Sequence, residues 1–469
     1  MRLSSFLSGS QVETIHRNAL RVLAEVGVLV EHEEVAKRLR SVGGEVDESG
    51  RVRFPSTLVE RALQDRTKEA PVENHPKVSV FSGIYQCQYL DPISGAYLPF
   101  DRDKLAFYLA LAASLPGMGD RVLLGLPFEE PGIPISCGPL LEKVYSWRYG
   151  AVPGGAVQLS ELCEPLLDLF ECHASWSGRP LREVFAACGY MLSPLRLARV
   201  ECEQLLFFAK HDCRMNIGHQ PNQGGTAPIT LAGVLTLSLA EQIFLFLLHS
   251  AFYENAPFEL NGGVTTTDPR NVMAVYGRPE KQRVNAAFAD IAQFYGCPCR
   301  GHSGLSDAKV PTTEAGAQKA IGALLTALAL GEGFIEAGLL SIDEVCSPVQ
   351  MILDYEIAKA LSALLAEPTI NDIECAFDEI AGLKAGEGFF GTELSASRCR
   401  TEMFLPKTWS KQSLSGWLRT GCKVDTDYAR DWIASFNTNY CAGSLLSDAE
   451  ERELSTIISK AARGTTAVI

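Results

Sequence analysis

The sequence predicts an α/β fold: a TIM (β/α)8 barrel with an N-terminal helical and hairpin extension and C-terminal accessory helices. Three observations lead there. From about residue 104, short apolar runs alternate with long helical patterns, which is the signature of a parallel sheet with crossover helices. One run, residues 214–218, meets a long apolar helix through Gly224-Gly225. Adjacent glycines in a strand-to-helix loop let backbone approach a ligand closely, at the face where barrels bind. Finally, 469 residues without the glycine fingerprint of a dinucleotide domain favour a closed barrel over an open sheet.

The elements follow in order. An extension spans residues 1–103, the barrel core 104–368 and an accessory region 369–469. Helical spacing covers 12–28 and 31–41, Gly43-Gly44 ends the second helix, and a third begins over 58–63. Aromatic and β-branched residues over 78–89, with turns at Ser82-Gly83 and at Pro92-Ile93-Ser94-Gly95, predict a hairpin. A helix follows over 103–115. Strands are expected at 122–126, 133–137, 214–218, 257–261, 298–302 and 333–338, with two more in the weakly patterned stretch 150–193. Helices are expected at 201–210, 232–250, 282–295, 314–330 and 349–365, the second starting close to Pro228. Beyond Pro368, helical spacing at 370–381, 428–436 and 448–461 marks a region that either covers the barrel or forms a subunit contact.

Composition narrows the function. Apolar residues make up 46% and charged residues 21%, as in a well-buried globular protein, and the formal charge of -14 excludes a nucleic-acid footprint. Residues 1–10 carry one basic side chain, Arg2, and no apolar run longer than two residues before the polar Gln11 and Glu13, so they do not read as a signal peptide. The apolar run 231–248 is interrupted by Glu241 and Gln242 and reads as a buried helix rather than a membrane span. Fourteen cysteines without a secretory segment point to free thiols in a reducing, cytoplasmic setting.

Polar residues gather where the expected strands end. Asn216 closes one strand, with His219, Gln220 and Gln223 in the loop after it; Glu259 and Asn261 end the next, before Gly262-Gly263. His302, Ser303, Ser306 and Asp307 follow a third, and Glu336 lies among the apolar and small residues of Phe334-Ile335-Glu336-Ala337-Gly338. A carboxylate in an apolar strand is costly to bury without a purpose. That purpose is either a ligand or a structural partner of opposite charge. Cys297 and Cys299 with His302, and Cys346 further on, can be drawn as a zinc set, but period-two alternation puts His302 on the opposite face, and no metal is expected.

The blocks Gly224-Gly225-Thr226-Ala227-Pro228-Ile229-Thr230-Leu231-Ala232-Gly233, Ala240-Glu241, Pro279-Glu280, Tyr295-Gly296-Cys297-Pro298, Ser306-Asp307-Ala308-Lys309 and Asp354-Tyr355-Glu356-Ile357 resemble, in that order, the trimethylamine methyltransferase (MttB) superfamily. Asp91-Pro92-Ile93-Ser94-Gly95 and residues 18–28 resemble its N-terminal region. The resemblance implies a TIM barrel that moves a methyl group from a small quaternary or tertiary amine to the cobalt of a separate corrinoid protein. It implies no tightly bound cofactor. The chain contains only standard residues, so it resembles the non-pyrrolysine branch, which includes enzymes of betaine-like substrates. One departure is visible: after Gly388-Phe389-Phe390-Gly391, where the family tends to carry a His-Thr pair, this chain has Leu394 and Ser395. A non-catalytic amine- or corrinoid-binding member of the same family is therefore the alternative.

A quaternary ammonium needs no acid to make its nitrogen a leaving group; it needs a strong nucleophile in line with a methyl carbon, which a reduced cobalt supplies. The expected catalytic residues are Glu336 and Glu259, as electrostatic orienters of the ammonium, with His302. His219, Gln223, Asn261, Tyr253, Phe252, Phe334 and Asp307 are expected around the substrate. Asn216, Gly224, Gly225 and Thr226 are expected against the corrinoid.

Overall fold

The computed structural model describes residues 5–66, 75–439 and 443–464. Residues 1–4, with Arg2, on which part of the N-terminal reading rests, lie outside it.

Helices form where the sequence carries its own start and stop signals. Pro279-Tyr295 begins with proline in its first turn and ends at Gly296, whose left-handed φ of +60° closes the last turn. Leu231–Ser250 is capped by the Thr230 side chain, which accepts from the Gly233 amide, so this helix starts past Pro228. It is the one helix among the described residues long and apolar enough to cross a membrane, and most of its side chains lie in the protein core. Within it, Glu241 accepts from the Leu195 amide at 2.9 Å and from Ser193 Oγ at 2.8 Å, and burial raises its carboxyl to a pKa of about 7.

The strands are short and pair mostly with distant parts of the chain. Glu332–Glu336 runs parallel to Lys77–Ile84, which runs parallel to Arg121–Leu123, and that in turn to Val152–Pro153. Ala187–Tyr190 pairs in parallel with Met215–Gly218, and Leu260–Asn261 with Cys299–Arg300.

The expected closed TIM barrel is not what forms. Among the described residues the strands fall into six sheets of two to four strands, none of which closes on itself, and the fold is mostly helical, with 50% helix against 13% strand. The reason is visible at the breaks, where side chains take over backbone groups that a ladder would use. Gln242 accepts from the Asn261 amide at 2.6 Å and donates to its carbonyl at 3.3 Å, while His249 Nε2 accepts from the Ile217 amide. Ser303 Oγ likewise accepts from the Phe334 amide at 3.1 Å and donates to its carbonyl at 3.0 Å. Backbone groups satisfied in this way need no neighbouring strand.

Other local expectations also change. Residues 77–84 are one strand with neighbours on both sides, so Ser82-Gly83 is not a turn; the hairpin is Gln88–Leu90 with Tyr97–Pro99. The first helix, Gly9–Arg21, passes into a wider turn at Val22–Val26, and Gly27 at φ +73° breaks it before the strand Val28–Val30. Ile135–Cys137 is a 3-10 turn leading into the helix Gly138–Arg148, not a strand. Of the expected helix at 370–381, only Phe377–Gly382 forms.

Candidate active site

Glu336 ends its strand with a side chain 2% exposed, and its Oε1 has no hydrogen-bond partner. The space for this carboxylate exists because the neighbouring strand carries glycine there: a methyl group at Gly83 would overlap Oε1. Burial first, then the nearby Asp343, raise the Glu336 carboxyl to a pKa of about 8, while the Lys319 ammonium opposes the rise. Lys319 does not neutralise Glu336 directly. It forms a fully buried pair with Asp354 at 2.6 Å and donates to the Glu336 backbone carbonyl at 2.7 Å, and Asp354 also accepts from the Gly338 amide at 2.8 Å. Two charged helix residues thus fix the strand end while the Glu336 carboxyl is left unpaired.

Two tyrosines, Tyr85 and Tyr276, and a second acid, Asp343, interact electrostatically with it, and Tyr190 lies beyond, near Tyr85. Burial raises the Tyr85 phenol well above its usual range, and the negative groups Glu336 and Asp343 and the phenols of Tyr276 and Tyr190 push it in the same direction. Tyr276 Oη accepts from Gln220 Nε2 at 3.0 Å and donates to Asp343 Oδ2 at 3.4 Å. Asp343 is itself raised by burial to a pKa of about 6. Tyr190 is 52% exposed, yet burial still raises its phenol; a ring on the wall of a concave opening has both properties. The Tyr276 ring stands edge to face with His302 at 5.3 Å, and the buried Lys281 ammonium lies 5.1 Å from the Tyr276 centroid.

Lys281 contacts Nδ1 of His302 at 2.8 Å and donates to the Val264 carbonyl at 2.8 Å. Burial lowers Lys281 to a pKa of about 7 and, helped by the Lys281 charge, holds His302 well below its usual value. His302 is therefore neutral. Asp307 accepts from the Tyr276 amide at 2.6 Å and the Gly277 amide at 2.8 Å, and its own amide donates to Gln318. It positions Tyr276. A cleft of about 800 Å³ is lined by Phe128 and Ile135 and by Gln86, Ser341 and Glu344, which are sequence neighbours of Tyr85 and Asp343, but none of the residues of this group lines it.

The other residues singled out in the sequence are scattered. Glu259 is at the surface, 3.4 Å from Arg300, on the entry side of its strand. His219 is buried against Ser238 Oγ at 2.8 Å, and burial lowers it to a pKa of about 3. Asn261 Oδ1 accepts from the Gly263 amide, and Gln223 donates to the Ile229 carbonyl, so both brace their own loops. Tyr253 Oη accepts from the Met215 amide, where that strand begins, and Phe252 lies under the Arg38 guanidinium at 4.6 Å. Phe334 packs on Phe81 at 5.4 Å. Asn216, Gly224, Gly225 and Thr226 are exposed, and Gly224 has φ +83°. Among the described residues no three His, Cys, Asp or Glu side chains are close enough together to hold a metal ion, so Cys297, Cys299, Cys346 and His302 do not form a set.

Sequence reasoning missed Gly83, Tyr85, Tyr190, Tyr276, Lys281 and Asp343. Tyr276 carried a usable signal, an aromatic residue beside a glycine just ahead of Pro279, but nothing local tied it to Glu336.

Comparison with known proteins is consistent across most of the chain. Residues 1–103 and 183–465 match the family described as "Trimethylamine methyltransferase (MTTB)". "Trimethylamine methyltransferase MttB" of Desulfitobacterium hafniense is 24% identical, over 92% of this chain and 89% of that protein. "Trimethylamine methyltransferase MttB1" of Methanosarcina acetivorans is 25% identical, over 92% and 90%. "Glycine betaine methyltransferase" of Desulfitobacterium hafniense strain Y51 is 26% identical, over 87% and 89%.

Proposed function

We propose, for a chain that belongs to the trimethylamine methyltransferase family, transfer of a methyl group from a small quaternary or tertiary amine to the reduced cobalt of a corrinoid carried by a partner protein. The observation that carries this reading is the buried Glu336 carboxyl with its unpartnered Oε1, near Asp343, Tyr85 and Tyr276, with Tyr190 beyond Tyr85. Carboxylates and ring faces together suit a cation with no proton to donate, each desolvated cation-π contact contributing about 2 kcal/mol.

In this reading the residues bind and orient. Glu336 and Asp343 hold the ammonium, and the tyrosine rings exclude water around its methyl groups. Asp307 holds the Tyr276 backbone, and Gln220 aims its hydroxyl. His302, kept neutral, adds no competing positive charge. The cobalt would supply the nucleophile; the exposed Gly224-Gly225-Thr226 turn and its neighbour Ile229 leave an open backbone surface where a corrinoid edge could approach. Glu259, Tyr253 and Phe252 have no part in this reading. The departure at Leu394 and Ser395 falls in a segment outside the group around Glu336, where the Leu394 amide donates to Glu379, which supports an active protein over a non-catalytic binder.

The test mixes the protein with reduced cobalamin and a panel of trimethylamine, tetramethylammonium, glycine betaine and carnitine, and follows the cobalamin by its visible spectrum. Methyl transfer from at least one is expected. Binding of an amine without transfer from any of them would favour the non-catalytic alternative.

A further inference from the structure

Two thiols meet beside the strand end that carries Glu336. Cys87 leads into the strand Gln88–Leu90, which runs parallel to Val345–Cys346, and this pairing brings the Cys87 and Cys346 sulfurs to 3.1 Å. Both cysteines are free and buried, at 8% and 0% exposure. Cys87 lines the cleft of about 800 Å³, together with Gln86 and Gln88, and Cys346 lies behind it. The Cys346 thiol donates to the Gly83 carbonyl at 4.0 Å and meets the Tyr108 hydroxyl, which donates to the Ala337 carbonyl at 3.3 Å. Backbone links carry the position of Cys346 further. The next amide, that of Ser347, donates to the Gly338 carbonyl at 2.8 Å, and the Gly338 amide donates to Asp354, the partner of Lys319. Cys87 follows Tyr85 by two residues and Cys346 follows Asp343 by three. A bond between the sulfurs ties together the segments that carry these two members of the Glu336 group.

We propose that Cys87 and Cys346 are a reversible thiol–disulfide switch, oxidised by peroxide entering through the cleft, that displaces the Glu336 group. The thiolate of Cys87 attacks one peroxide oxygen and the O–O bond breaks. Cys87 becomes a sulfenic acid, and the departing hydroxide takes a proton to leave as water. Cys346 then attacks the Cys87 sulfur; the S–S bond forms, the S–O bond breaks, and a second water leaves with the Cys346 proton. Two thiols and one peroxide become one disulfide and two waters. Burial first, then the neighbouring Cys87, push the Cys346 thiol well above its usual value. Cys346 therefore stays protonated until Cys87 has reacted. About 1 Å of approach separates the thiol contact from a covalent bond. Closing that gap draws Cys346 off the Gly83 carbonyl and the Tyr108 hydroxyl, the groups that abut the Glu336 carboxyl and its strand end. The effect on amine binding rests on the function proposed above, whereas the bond and the displacement do not.

The test treats the full-length protein, first reduced with dithiothreitol and desalted, with hydrogen peroxide, removes the peroxide with catalase, and maps the unreduced peptides by mass. A peptide pair joined through Cys87 and Cys346 is expected, two hydrogens lighter than its separate halves and released by dithiothreitol. Hydrogen exchange at the amides of Glu336, Gly338 and Ser347 should differ between the oxidised and the reduced protein, a readout that needs no substrate. Calorimetry, run without the reductant that cobalt requires, should show tetramethylammonium binding weakened about 10-fold to 100-fold by oxidation, the effect of losing a contact to a charged group, and recovered after dithiothreitol. Cys87→Ser should bind as the reduced wild type does and keep that affinity and its exchange pattern through the same treatment. Failure to find the joined peptide would overturn the proposal, and so would a joined peptide with unchanged exchange at those amides. A Cys87→Ser protein that loses as much affinity to peroxide as wild type would overturn it too, because the damage would then lie elsewhere. If the reduced protein binds no amine, the proposed function fails, while the joined peptide and the exchange pattern still decide the switch.

Discussion

Replacing Glu336 with glutamine keeps the shape of the side chain and removes its charge. In the folded protein the carboxyl titrates at about 8 against an ordinary value of 4.5, and the sign of the consequence follows. Below pH 4.5 the acid is protonated in both folded and unfolded chains and contributes nothing. Between 4.5 and 8 the unfolded chain ionises while the folded one holds its proton, so wild-type stability falls by about 1.4 kcal/mol per pH unit relative to a neutral residue. Above 8 the penalty levels off at about 5 kcal/mol, an upper bound because burial of this kind relaxes. Glu336→Gln should therefore match wild type near pH 4.5 and become more stable by up to about 3 kcal/mol at pH 7. Function should move the other way, with methyl transfer lowered about 10-fold to 1000-fold, equivalent to an electrostatic loss of roughly 1.4 to 4 kcal/mol. Binding adds a third signature: wild-type affinity for tetramethylammonium should rise about fivefold from pH 7 to 8 and flatten about tenfold above its pH 7 value, because the cation needs the ionised acid. The variant should lose that proton's share and keep only the dependence due to Asp343 and Lys281. Denaturant melts, initial rates and calorimetry on one preparation read all three. If Glu336 were instead half of a structural ion pair, the variant would be less stable at pH 7 than wild type, with turnover per folded molecule unchanged, and the reasoning here would fail.

Tyr276→Phe removes the hydroxyl between Gln220 and Asp343, so the KM for the amine should rise about 3-fold to 10-fold, a loss of roughly 1 kcal/mol; a KM within twofold of wild type would exclude Tyr276 from the site. Gly83→Ala puts a methyl group where Glu336 Oε1 lies, so transfer should drop at least as far as in Glu336→Gln while the melting temperature also falls, whereas an unimpaired rate would show that the carboxyl can work from another position. Lys319→Met leaves Asp354 buried without its partner and should cost about 3 to 5 kcal/mol in denaturant unfolding, with much of it recovered by adding Asp354→Leu. Equal losses in the single and double variants would deny that the two charges act as a pair.

Much of the helical structure was legible from residues next to one another. Thr230, Pro279 and Gly296 carry local start and stop signals, because helix hydrogen bonds join residues four apart. The burial of Glu336 was legible for a similar reason, since its neighbours Phe334, Ile335 and Ala337 could only belong to a buried strand. The family blocks gained reasons that the sequence did not state: Asp354 fixes the strand end through Lys319, and Asp307 holds the Tyr276 turn.

Sheet pairing and the meeting of charges belonged to the tertiary structure. Lys77–Ile84 was read as a hairpin because its partner, Glu332–Glu336, lies some 250 residues away, where no local pattern can announce it. The closed barrel failed for a related reason: whether Gln242, His249 and Ser303 would take backbone groups from neighbouring strands depends on where their own helix or loop comes to rest. Chain separation likewise kept Tyr85 and Tyr276 apart from Glu336 and Asp343, and the raised pKa values of these groups come from shared burial rather than from any residue type. Sequence by itself determined the long helices, such as Leu231–Ser250 and Pro279–Tyr295, and the burial of Glu336, since propensity and apolar context act over a few residues. Only the packed structure decided which side chains surround that carboxylate, because desolvation and Coulomb interaction depend on distance in space and not along the chain.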